Sequence, residues 1–264
     1  MAQETSFADV VVTTDEIGIR KIHVHDLWQS LREGYDDFNA KPSLGVFVTI
    51  IYPLVALLLT LYLLGEHPLH MIFPVIAGFT LLGPVVSVGL FEMSRRRERG
   101  LELNWRSAFQ FIHSSSFAPI LALSIAMMLL YVGWLFMAKF LYVGLFGAHP
   151  PVSVADFATQ LVTTRRGGAL VFYGNAVGFV FAFTALAISV VGFPLLLDKP
   201  VSSVTAMITS IRAVTSNPAV MAVWGATVVV LLAAGALLLL VGLAAVLPIL
   251  GHATWHLYRK LVAP

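Results

Sequence analysis

Residues 117–138, FAPILALSIAMMLLYVGWLFMA, hold 22 positions without a formal charge. A helix rises about 1.5 Å per residue, so such a run spans the ~30 Å hydrocarbon core of a bilayer. Three further runs read the same way: Leu44 to Gly65, Met71 to Phe91 and Gly167 to Leu197. A last stretch, Asn217 to Tyr258, has 42 residues without a formal charge. As one straight helix it would measure about 63 Å, twice the membrane core. It therefore reads as two passes with a reversal near Gly235 and Gly242, where glycine supplies the backbone freedom a reversal needs.

Composition agrees. The chain has 264 residues, 58% apolar and 11% charged, with a mean hydropathy of +0.88. A soluble domain is nearer 45–50% apolar and about 25% charged. The absence of cysteine excludes disulfides, cysteine-ligated metals and a thiol nucleophile. A net charge of +2 gives no reason to expect nucleic-acid binding. The N-terminal residues 1–22 are a polar tail with early acidic residues, unlike a cleaved signal peptide.

Basic residues set the orientation. With six spans and an inner N-terminus, one side carries Arg20, Lys21, Arg32, Lys41, Arg95, Arg96, Arg97, Arg99, Arg106, Lys199, Arg212, Arg259 and Lys260. That is 13 of the 16 Lys and Arg residues. Arg165 and Arg166 fall outside, and Lys139 near the outer end of the third span, where it can snorkel to the interface. The positive-inside rule then places both termini in the cytoplasm.

The chain also reads as a threefold repeat, in units of about 23–100, 101–200 and 201–264. Each has an amphipathic stretch, a proline (Pro42, Pro119, Pro218) and a hydrophobic hairpin. In the first stretch Val24, Leu27, Trp28, Leu31, Tyr35 and Phe38 recur at helical spacing opposite His25, Asp26, Gln29, Arg32, Glu33, Asp36 and Asp37. Too polar to span, it is expected to lie in the interface, with Trp28, Leu31 and Tyr35 toward lipid or protein and Asp36 and Asp37 in water. Trp105, Ala108, Phe109 and Ile112 mark the second stretch; Val204, Met207, Ile208, Ile211 and Val214 mark the third. Asn217 before Pro218 is placed to cap the next helix. The fold class is thus an all-α membrane protein, with six transmembrane helices as three hairpins, each preceded by an amphipathic interfacial helix. Residues 23–264 form one membrane domain.

The runs GPVVSVGLFEMSRRRERGLELNW, FPLLLDKPVSSVTAMITSIRAVTSNP and LPILGHATWHLYRKL resemble an uncharacterised bacterial integral-membrane family, a domain of unknown function. The resemblance covers roughly residues 20–262 and implies a multi-pass protein of the bacterial inner membrane, with no established activity. Some members are labelled cytochrome c oxidase subunits. Oxidase catalytic subunits need more spans and a histidine set over several helices, whereas only His252 and His256 here lie inside an apolar segment.

Candidate site residues are few. Arg95, Arg96, Arg97 and Arg99 form a juxtamembrane cluster that sets topology and can attract anionic head groups. Glu92 reaches Arg95 or Arg96 at i+3 or i+4, as an ion pair ending the span or as a proton or ion site. His252 and His256 share a helix face at i, i+4 and could ligate a metal or haem; a place near the cytoplasmic head groups explains them without a ligand. Glu92 occupies the repeat position matching His256, and is the weak third candidate. No metal and no cofactor is favoured.

No phosphate-loop, zinc-protease or serine-elbow motif is present. The expectation is a non-enzymatic structural or accessory protein whose partners are the lipid bilayer and another membrane protein or complex. A small-solute or ion permease, and a haem- or metal-binding respiratory accessory protein, are the alternatives.

Overall fold

Residues 117–138 form the greater part of a 30-residue helix in the computed structural model, which describes residues 17–42, 69–104, 106–148, 151–237 and 242–263. Eight helical runs follow in order: α1 Val24–Ala40, α2 Ile72–Glu98, α3 Phe117–Phe146, α4 Val154–Thr163, α5 Arg165–Asp198, α6 Ser203–Ser216, α7 Pro218–Leu237 and α8 Leu243–Leu261. The described residues are helical apart from turns, short links and one isolated antiparallel bridge, Ile19 to Val262.

Four helices, α2, α3, α5 and α7, are long and apolar enough to cross a membrane. Of the other two expected spans, Leu44 to Gly65 lies outside the described residues. The second, α8, is not among these four. It is a 19-residue helix ending on Arg259 and Lys260. The reversal between α7 and α8 is visible at its base, where a Cβ on Gly242 would meet the Gly235 Cα at 2.8 Å. The expected amphipathic stretches take different forms. The first and third are α-helices, α1 and α6, whereas the second is a 3-10 helix, Ser107–His113; Trp105 lies outside the described residues.

Proline shapes two of the long helices. Pro84 offers no amide to the carbonyl four residues back, and α2 tightens there into a 3-10 turn at Thr80–Leu82. Pro194 acts likewise in α5, where regular geometry breaks at Val190 and Val191. The Val191 amide donates instead to the buried Ser210 Oγ at 3.1 Å.

The described residues fall into two units. One lies within 51–83 and 125–185. There the Trp134 indole donates to the Pro74 carbonyl at 2.7 Å, and Gly78 leaves room for the ring. Ser153 caps α4 through the Asp156 amide at 3.1 Å, and Thr164 caps α5 through the Gly167 amide at 2.9 Å. Phe136, Phe140, Phe172 and Phe179 are all about 70% exposed. An apolar surface of that extent suits contact with lipid, not with water.

The other unit lies within 1–50, 84–124 and 186–264. Its centre is the packing of α1 on α8, and of α8 on the end of α2. The helices approach closely because the facing residues are small. A Cβ on Gly34 would sit 2.5 Å from the Ala253 amide nitrogen, and one on Gly251 would meet the Leu90 side chain at 2.4 Å. The buried face of α1 is Leu27, Ser30, Gly34 and Asp37. Val24, Trp28 and Tyr35 stay exposed, with Trp28 at 60%. The aromatic stripe therefore flanks the packed face instead of forming it. Asp36 is exposed, as expected, but Asp37 is buried, and its expected place in water is corrected. Asn217 departs from expectation too. Its side chain does not cap α7; it accepts from the Ile22 amide at 3.0 Å and donates to the carbonyls of Arg20 and Ala213 at 3.1 Å, pinning the N-terminal segment.

Candidate functional site

The polar ends of α1, α2, α5 and α8 all lie in this unit, and the candidate residues gather there. The centre is Asp37. Three groups converge on its carboxylate: Arg97 on Oδ1, and on Oδ2 the Ser94 hydroxyl and the His256 ring, the latter through Nε2 at 2.9 Å. Burial alone pushes the Asp37 acid up. The hydrogen bonds from His256, Ser94 and Arg97 outweigh it and hold the group down at about 2, well below the usual 3.8. Ser94 Oγ also lies 2.8 Å from His252 Nδ1. The hydroxyl gives its one proton to Asp37, so Nδ1 of His252 must be the donor. Its Nε2 is then a lone-pair acceptor, and it is buried without a hydrogen-bond partner among the described residues.

Around this centre the charges are paired. Lys260 reaches Glu33 at 3.0 Å. Arg259 bridges Glu98 at 3.0 Å and Asp198 at 3.2 Å. The Tyr258 hydroxyl donates to Asp198 at 2.7 Å and the Trp255 indole to Glu98 at 3.1 Å. The end of α8 is thereby tied to α1, α2 and α5 by side chains that share no sequence neighbourhood.

The four arginines divide by task. Arg97 belongs to Asp37. Arg95 pairs with Glu92 at 2.8 Å and donates to the Leu197 carbonyl at 2.6 Å. Arg96 holds Gln110 at 2.7 Å and the Glu102 carbonyl at 3.1 Å. Among the described residues the Arg99 side chain makes only a long contact with Asp198, 3.4 Å. Arg95, Arg96 and Arg99 line a cleft of about 390 Å³. Arg97, His256 and Lys260 line another, of about 490 Å³.

The structure thus brings His252 and His256 together, on Ser94 and Asp37, and leaves Glu92 with Arg95. Among the described residues no group of three His, Asp or Glu side chains is arranged to hold a metal. Sequence reasoning missed Asp37, Ser94, Glu98 and Asp198 as site members. For Asp198 a signal existed: it ends an apolar run beside Lys199, much as Glu92 and His256 precede Arg95 and Arg259 at the ends of theirs.

No curated protein and no solved structure matches the chain. Residues 72–198, from the start of α2 to the end of α5, match the model of an uncharacterised membrane family described as predicted integral membrane protein (DUF2189).

Proposed function

We propose that this integral membrane protein is a non-enzymatic structural or accessory component of the bacterial inner membrane, holding anionic lipid against its basic end. One observation carries the reading. All 13 basic residues assigned to the inner side by sequence fall within 1–50, 84–124 and 186–264, the unit built around α1 and α8, and the remaining three fall within the other unit. Cationic side chains at the ends of membrane-crossing helices attract anionic head groups, at about 1 kcal/mol per charge. On this reading that end is cytoplasmic, with both termini beside it, and the chain makes six passes, with Leu44 to Gly65 and α8 as the first and last.

Two measurements test it. Reporter fusions at the C-terminus should fluoresce as green fluorescent protein and stay silent as alkaline phosphatase. Lipid extracted from detergent-purified protein should be enriched in anionic species relative to the membrane it came from. A periplasmic C-terminus would remove the orientation, and lipid of bulk composition would remove the lipid-holding role.

A further inference from the structure

We infer that the cleft beside Arg95, Arg96 and Arg99 is a binding site for a phosphate group, with Lys199 and the Ser115–Ser116 turn completing it. The inference rests on the lipid-holding reading and narrows it to one site and one chemistry. Four cations line the cleft against two carboxylates, Glu92 and Asp198. One side is the end of α2, another the end of α5, and the third the Ser114–Ser116 turn that leads into α3. Three helices long and apolar enough to cross a membrane therefore present their polar ends to one cavity, as residues at the membrane interface do.

Internal bonds leave capacity for a ligand. Arg95 uses both terminal nitrogens on Glu92 and the Leu197 carbonyl, yet its Nε is buried with no hydrogen-bond partner. A buried guanidinium N–H without an acceptor is costly, as is the neighbouring Glu92 Oε2, which also lacks a hydrogen bond among the described residues, and an anion oxygen within reach of Nε would offset the first cost. Arg96 is held by Gln110 and the Glu102 carbonyl through Nη1 and Nε, and its Nη2 has no hydrogen-bond partner among the described residues. Lys199 is fixed by the Ala263 carbonyl at 3.2 Å, with further ammonium protons to offer. Planar guanidinium donors around a 390 Å³ space match the oxygens of a phosphate, which can accept from several of them at once. Arg97 takes no part, because Asp37 engages it on the other side of α2.

The test uses the full chain in detergent, with thermal unfolding read against three probes: dihexanoyl phosphatidylglycerol, dihexanoyl phosphatidylcholine and inorganic phosphate. Phosphatidylglycerol should stabilise the protein and phosphatidylcholine should act far more weakly. Arg96→Gln with Lys199→Gln should weaken that response by roughly tenfold or more. Arg97→Gln should lower the unfolding temperature itself and leave the ligand response within about twofold, which separates folding from binding. A response to inorganic phosphate alone, lost in the double variant, supports the site with a soluble phosphate as occupant. A double variant that responds like the parent overturns the cleft while leaving lipid binding elsewhere intact. No response of the parent to any phosphate probe overturns the cleft, and bulk-composition lipid on the purified protein would then remove the wider reading as well.

Discussion

Replacing Asp37 with asparagine keeps the shape of the side chain and removes its charge, which isolates what the carboxylate does. Asp37 is 6% exposed and engages Arg97, Ser94 and His256. Its acid sits at about 2 instead of 3.8, and that gap is worth about 2 kcal/mol of folding stability at neutral pH. The Arg97 side chain is 41% exposed, so solvent screens part of its attraction and the figure does not rise to that of a fully buried pair. For a chain of this size the loss corresponds to a fall in unfolding temperature of roughly 4–8 °C. The sign with pH follows from the lowered value. The contribution is fully present above about pH 4, where the unfolded carboxyl is ionised, and is lost as the pH falls toward 2. Thermal unfolding of Asp37→Asn and the parent in detergent, from pH 7 downward, should show a gap that is wide at neutrality and closes between pH 4 and 2. A gap under about 1 °C at pH 7, or one that widens on acidification, refutes the reasoning.

Gly34→Ala should cost about 1–3 kcal/mol, because its Cβ meets the Ala253 backbone; Gly83→Ala, where nothing lies within 4 Å, is the control in the same melting assay. Asn217→Ala should cost about 1–3 kcal/mol by orphaning the Ile22 amide, and protease digestion should then cut the segment before α1 sooner than in the parent. Trp28→Asp should lower the yield of membrane-folded protein while Gln29→Asp leaves it unchanged, read by fluorescence-detected size exclusion; equal effects would mean that the exposed stripe of α1 contacts nothing.

The long helices were legible because a charge-free run of twenty or more residues leaves a chain few alternatives. For one span both boundaries followed closely, Gly167 to Leu197 being expected and Arg165–Asp198 observed, whereas α2 and α3 run on past the expected Phe91 and Ala138 to Glu98 and Phe146. The existence of α1 followed from its period, but not which arc is packed. Hydrophobicity points to Trp28 and Tyr35, whereas the observed contact uses Ser30 and Gly34, chosen by how closely two backbones can approach. The central carboxylate was hidden for a related reason. Nothing near Asp37 in the chain marks it as buried; its partners are 57, 60 and 219 residues away. The histidine pair was found by spacing alone, and what the rings touch required the tertiary structure.

The pairing of α1 with α8 also dictates an order of events during synthesis. The helix α1 leaves the ribosome early, yet its partner surface on α8 is translated after α2, α3, α5 and α7. Until then Gly34 has no neighbour, and Asp37 lacks His256 although Ser94 and Arg97 already exist. Closure of the unit is a late, long-range step of the kind that folds slowly and exposes intermediates. Chains that stop short of residue 243 retain α2, α3, α5 and α7, the four described helices long and apolar enough to cross a membrane, but have an unsatisfied polar groove on α1 and α2. Completion of this unit therefore waits on α8, whichever of the long helices has formed before it.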